Sequence, residues 1–386
     1  MAHPNASLAA FEQLWQQHHW PELVKAQLSY PDIAPVLEQL AQQPAVTQQV
    51  IGQSYLGTPI HRLSIGHGPI VVLAWTQMHG DESTATAAVL DWLQLLAQDH
   101  VGDLPKQWQS LLTLHVIPML NPDGAARGTR ENAQAIDINR DAMAQQSPEG
   151  RLLADQVKTL TPTLAFNLHD QNPYYAAGQD GEPATIAFLA PAYHPDKHVD
   201  AARLKAKQLI ACMAQALSYW LPEAVGRYDD TYSERSFGDA IAGLGASTIL
   251  IESGAHRHDP YRQIARRMNV MALQAGLSAW LSGVYQSYSL ADYYAIPDNV
   301  SDGYVDVMIH QLTFDDGQHQ PFTADVGIVA QDQGYYVDFV GDARGQRGLT
   351  EYDGTALTYR QPLKLGAAAD ELLTLVGGAV LLDRNW

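Results

Sequence analysis

PIVVLAWTQMHGDESTATAAVLDWLQLLA, residues 69–97, decides how this chain is read. It opens on an unbroken apolar run, the pattern of a strand buried on both faces. It closes on ATAAVLDWLQLLA, rich in alanine and leucine over helical length. Between them a short polar loop holds His79, Gly80, Asp81 and Glu82. A buried strand that passes through such a loop into a helix begins a βαβ unit. In sheets built from these units, ligands sit beyond the carboxyl ends of the strands. The loop therefore places an imidazole and two carboxylates where side chains can meet a ligand.

The pattern repeats on both sides of this stretch. VTQQVIGQSYLGTPIHRLSIG precedes it as alternating strands, and LLTLHVIPMLNPDG follows as a strand entering a turn. EGRLLADQVKTL reads as a helix, TLAFNLHD as a strand and PDKHVDAARLKAKQLIACMAQALSYW as a long helix. ASTILIESGAH is a further strand, and YRQIARRMNVMALQAGLSAWLSGVYQSY a closing helix. Strands alternating with helices predict an α/β fold, a mixed and mostly parallel sheet with helices on both faces. Residues 1–45 read as short helices broken by prolines, ASLAAFEQLWQQHH and DIAPVLEQLAQQ. After about residue 290 the texture changes to short β-like runs between glycine and aspartate turns: YVDVMIHQLTF, ADVGIVA, GYYVDFVG, TALTYRQPL and AVLLDRNW. The expected organisation is an N-terminal helical segment (1–45), a larger α/β domain (46–289) and a small C-terminal all-β domain (290–386).

Composition narrows the partners. The formal net charge of −19 argues against nucleic acid and against an anionic membrane surface, both of which are bound through lysine and arginine. Cys212 is the single cysteine, so no intrachain disulfide forms, and its helical context predicts a buried structural thiol. The N-terminus lacks a basic segment followed by an apolar one, and no run of about twenty apolar residues occurs. These features set the expectation of a cytoplasmic protein.

Three strand ends carry groups able to bind a metal or move a proton. The first delivers His79 and Glu82, LAFNLHD delivers His169, and TILIESG delivers Glu252. Two imidazoles and one carboxylate make an open zinc set with a fourth position left to water. The helical zinc-protease signature, with two histidines four apart, is absent. Glu252 lies in an apolar strand, where an unpaired carboxylate is costly, so it is either paired or facing the site. The other histidines read as bystanders. His115 alternates with apolar residues as a satisfied core histidine. His256 and His258 fall in a solvated loop, and His194 and His198 stand at a helix start.

NPDGAARGTRENAQAIDINRD, residues 121–141, adds Arg130, Asp137, Asn139 and Arg140. With His-x-x-Glu before it and a distant histidine and a late-strand glutamate after it, the chain resembles the carboxypeptidase A-like zinc metallocarboxypeptidases across roughly residues 48–285. The resemblance implies one zinc ion (Zn2+) held by His79, Glu82 and His169. Glu252 would be the general base for the metal-activated water and then the acid for the leaving amine. Arg130 would hold the developing oxyanion, while Asn139 and Arg140 would grip the terminal carboxylate of a peptide or peptide-like substrate. Asp137 would orient the ring of His79. A tyrosine covering the bound carboxylate is expected in GRYDDTYSERSFGD, with Tyr232 preferred to Tyr228.

The match departs from the family at some points. Asp170 follows the last zinc histidine, where pancreatic-type members carry a small neutral residue. An added negative charge there would favour an amino group or a cationic side chain. No propeptide of the digestive type precedes the domain, so no zymogen activation is expected. Two alternatives accompany the peptidase reading: a zinc-dependent deacylase of N-acyl amino acids, and a non-catalytic peptide-binding protein of the same fold.

Overall fold

Ile70–Thr76 is a central strand of an eight-stranded mixed sheet, and its two faces pack against different cores. Val72 and Ala74 join one core, and Leu73 and Trp75 the other, as the two-residue period of a strand dictates. The computed structural model describes residues 5–331, 334–361 and 363–377. The sheet is made by β1 (Val46–Gln53), β2 (Pro59–Gly66), β3 (Ile70–Thr76), β4 (Leu112–Ile117) and β5 (Leu164–Asp170), with β7 (Ile186–Leu189), β8 (Val225–Arg227) and β9 (Ser247–Ser253). Its order is β1-β2-β4-β3-β5-β9-β7-β8. The pairs β4/β3, β3/β5, β5/β9 and β7/β8 are parallel, while β1/β2, β2/β4 and β7/β9 are antiparallel. The expected fold class is the one observed.

Helices cover both faces. On one side lie α1 (Asn5–His18), α2 (Tyr30–Ala41), α3 (Thr84–Ala97), the single turn α4 (Trp108–Leu111), α7 (Ala201–Leu217) and α9 (Gln263–Ser282). On the other lie α6 (Pro148–Leu160) and α8 (Phe237–Gly243), which supply Leu152, Leu153, Val157, Phe237 and Ile241 to the second core. A short helix α5 (Pro122–Arg127) follows β4, so the expected turn at Asn121–Gly124 is its start: Asn121 caps it by accepting a bond from the Gly124 N–H at 2.9 Å.

Helix α1, the segment after it and α9 are pinned together by one buried carboxylate. Asp91 of α3 accepts bonds from the Trp15 indole (2.8 Å), the Trp20 N–H (2.9 Å) and the Arg266 guanidinium (2.7 and 2.8 Å). Arg266 also donates to the Trp20 carbonyl, so both charges are satisfied although neither meets solvent.

Beyond α9, residues 290–300 stay with the α/β part. Tyr293 of α10 (Leu290–Tyr294) is fully buried in its main core, and β10 (Asn299–Val300) pairs with β6 (Ala176–Ala177). A separate sheet then forms from β11 (Tyr304–Phe314), β12 (Phe322–Gln331), β13 (Gly334–Gly341), β14 (Arg347–Asp353) and β15 (Thr358–Tyr359). A short helix, α11 (Asp370–Leu375), closes one face of it through Leu372 and Leu373. AVLLDRNW, expected as a last strand, lies outside the described residues. Among the described residues no helix is long and apolar enough to cross a membrane.

Candidate active site

The parallel pairing of β5 with β9 sets His169 beside Glu252 in register, so both side chains leave the sheet on the same face. The loop after β3 brings His79 and Glu82 to the same place. Its path is fixed by backbone contacts that a side chain would block. A Cβ on Gly80 would lie 2.0 Å from the Gly124 carbonyl carbon, so only glycine lets the loop pass over α5. Asn121 ties the two segments by donating to the Met78 carbonyl at 3.2 Å. Gln77, buried with a left-handed φ of 51°, donates to the carbonyls of Gly80 (2.9 Å) and Leu28 (2.8 Å). Gln27 of the N-terminal segment donates to the same Gly80 carbonyl at 2.6 Å.

His79, Glu82 and His169 converge: one donor atom from each lies within 4.8 Å of the others. The Glu82 carboxylate stands between the two rings, 2.6 Å from Nδ1 of His79 and 2.7 Å from Nδ1 of His169. Asp137 accepts from Nε2 of His79 at 3.2 Å, which commits that nitrogen as the donor and leaves Nδ1 its lone pair. An imidazole lone pair facing a carboxylate oxygen at 2.6 Å is repulsive unless a positive charge lies between them. A proton or a divalent ion meets that need. The donor set of two Nδ1 atoms and one carboxylate fits zinc.

Charges around the cluster follow from burial and pairing. Burial opposes the imidazolium of His79, but the Glu82 charge and the Asp137 bond outweigh it and raise its pKa to about 9. Burial likewise opposes the charge on Glu82, yet the two histidines hold its pKa far below the usual carboxylate range. Burial lowers the pKa of His169 despite Glu82. Glu252 is 9% exposed, and burial, then the neighbouring Glu82 charge, push its pKa well above the ordinary value.

Arg130 reaches the cluster from the segment after α5. Its Nε donates to Asp137 Oδ2 at 3.0 Å, and Nη1 lies 3.1 Å from His79 Nδ1 and 3.5 Å from Glu82. Asp137 also caps the next turn, accepting the Asn139 N–H at 2.8 Å. That turn presents Asn139, whose Oδ1 accepts the Phe237 N–H at 3.0 Å, and the exposed Arg140, which donates to the Asn139 carbonyl at 2.7 Å. Asn139 therefore keeps its amide Nδ2 as a donor for a ligand.

Some expectations change. Asp170 lies in the wall of the cleft, and its charge is partly met: Oδ2 accepts from the Thr84 N–H (3.1 Å) and hydroxyl (2.7 Å) and lies 3.7 Å from Arg262. Burial raises its pKa to about 6 in spite of the Arg262 charge. Of the two tyrosines, Tyr228 is the one in the field of Glu252: burial first, then that charge, raises its phenol pKa, and its ring stands 5.7 Å from Tyr175. Tyr232, the residue preferred from sequence, is half-buried in an irregular segment with no hydrogen bond to the cluster among the described residues. His115 is satisfied at 2.7 Å from the Ser64 hydroxyl. His194, Asp196 and His198 form a second, exposed group of metal-type donors. Sequence reasoning missed Gln77 and Gln27; a buried glutamine acting on a loop carbonyl leaves no periodic signal.

Residues 33–161 match the zinc carboxypeptidase family, a span that includes His79, Glu82, Arg130, Asp137, Asn139 and Arg140. Carboxypeptidase SOL1 of Arabidopsis thaliana is 24% identical over 205 residues, covering 45% of this chain and 41% of that protein. The chain thus spans about two fifths of the length of this curated relative. A metallo-carboxypeptidase from Burkholderia cenocepacia is similar in structure at 18% identity, with a TM-score of 0.53 over 69% of this chain and 71% of that one. Carboxypeptidase A from Helicoverpa armigera aligns at 17% identity, with a TM-score of 0.52 over 72% and 81% of the two chains. About a third of the chain thus matches the zinc carboxypeptidase family model, and the α/β part shares the fold of the metallo-carboxypeptidases.

Proposed function

We propose that this protein is a zinc-dependent metallocarboxypeptidase that hydrolyses a C-terminal peptide or peptide-like amide bond. The observation that carries the reading is the convergence of His79, Glu82 and His169 within 4.8 Å, with Glu252 in register beside His169. His79, Glu82 and His169 would hold the metal. Zinc supplies Lewis-acid polarisation of the reacting oxygens when bound.

The protein's own groups do the rest. Glu252, its pKa raised by burial, takes a proton from the attacking water and returns it to the leaving nitrogen. Arg130 is anchored through Nε by Asp137, so its fork meets charge that develops on the scissile carbonyl oxygen. Asn139 and Arg140 offer one amide and one exposed guanidinium to a terminal carboxylate, which selects chain ends over internal bonds.

A mixed peptide library, digested by the zinc-loaded protein and read by mass spectrometry, tests this directly. The expected products are single C-terminal residues and chains shortened by one. Glu252→Gln should bind zinc with unchanged stoichiometry yet lose turnover by about 10²–10⁴-fold. Release of internal fragments, or release of acyl groups from N-acyl amino acids with no peptide trimming, would overturn the assignment.

A further inference from the structure

The C-terminal sheet reaches the candidate active site. A cavity of about 390 Å³ opens beside Glu82 and Arg130, and its lining includes Tyr174, from the segment after His169, and Ala330 and Gln331, from the end of β12. Neither Asn139 nor Arg140 lines it. With the terminal carboxylate assigned to those two residues, this cavity is left for another part of a substrate.

The wall is built and held, and is more than a surface in passing contact. Asp306 of β11 is buried at 3% exposure, and its Oδ2 accepts from the Tyr174 hydroxyl at 2.6 Å and from the Ala330 N–H at 2.7 Å. One carboxylate oxygen thus fixes a cavity residue from each part of the protein. The Gly303 N–H donates to the Tyr174 carbonyl at 3.1 Å, and Gly303 packs so tightly that a Cβ would meet Ala176 at 2.8 Å. In the turn after β9, Arg257, five residues after Glu252, donates to Glu182 and to the Gly348 carbonyl, each at 2.7 Å, and lies over the Tyr304 ring. The sheet is therefore fastened to the segments that follow both His169 and Glu252. Apolar burial does not account for this attachment, because α11 already closes the sheet's own core, and only a small cluster around Ala176, Ala255, Tyr304 and Leu349 is shared.

We infer that the C-terminal sheet is a component of the substrate cleft, supplying through Ala330, Gln331 and the Asp306-held Tyr174 the wall that reads the portion of a peptide preceding the scissile bond. Exposed amides at Asn172 and Gln331, with the Tyr174 phenol, suit the hydrogen-bonding groups of a polypeptide main chain better than an apolar acyl chain. The matched family span ends at residue 161 and includes none of these groups. The inference rests on the carboxypeptidase reading, so its test separates the two.

Calorimetry on the zinc-loaded Glu252→Gln protein compares two ligands, a blocked C-terminal dipeptide and the same dipeptide extended by three residues on its amino side. Both are measured again with Gln331→Trp added, which crowds the wall from an exposed position, and with Tyr174→Phe, which removes only the hydroxyl held by Asp306. Each added change should weaken the extended ligand by about tenfold more than the short one. Equal weakening of both ligands, or none of either, overturns the inference and leaves the peptidase reading intact. Failure of the parent protein to bind either ligand sinks both.

Discussion

Asp137 shows how much one side chain sets in this site. It holds Nε2 of His79, anchors Arg130 and starts the turn that carries Asn139. Asp137→Asn should therefore raise the zinc dissociation constant by about 10–100-fold, measured by competition with a chromophoric chelator. An unchanged constant would show that His79 needs no such partner. His79 itself gives a pH prediction. With its pKa near 9 in the metal-free protein, the ring carries a proton at pH 7.5 that zinc must displace. Zinc binding at pH 7.5 should thus release about one proton, and apparent affinity should rise with pH until about 9 and then level. Calorimetry in buffers of different ionisation enthalpy measures the count. Uptake with no proton released would contradict the raised pKa.

At the scale of elements, the site is legible where sequence period and function coincide. The apolar run of β3, the strand end at His169 and the lone carboxylate in β9 are all visible because a buried strand tolerates a polar residue only where it meets something. The two-residue strands β6 and β10 are not visible, since each exists only through pairing with a segment more than a hundred residues away. Tyr228 and Tyr232 could not be ranked because the segment that carries them has no period to orient a side chain. The latch that joins α1 and the segment after it to α9 was equally hidden: Asp91 looks like one polar residue in a helix, yet it meets Trp15, Trp20 and Arg266. Asp91→Ala leaves Arg266 buried without its counter-charge. It should cost about 3–5 kcal/mol, seen as a lower urea midpoint. A loss below about 1 kcal/mol would mean that Arg266 finds another partner or reaches water.

For the molecule as a whole, three regions meet at one edge of the main sheet. The N-terminal segment supports the metal-type loop through Gln27, the loop after β3 and the end of β5 supply the donors, and the C-terminal sheet contributes Ala330 and Gln331 to the adjoining cavity. The division into regions follows from texture in the sequence, whereas their meeting point does not. Tyr174 and Asp306 are 132 positions apart, and nothing local in either stretch announces the bond. The claim on which the rest depends is that His79, Glu82 and His169 form one metal centre. Anomalous diffraction at the zinc edge, from crystals of the zinc-loaded protein, tests it most directly. The account predicts a single strong peak about 2.0–2.2 Å from Nδ1 of His79, a Glu82 oxygen and Nδ1 of His169. A peak only at His194, Asp196 and His198, or no peak at all at full zinc loading, would contradict it.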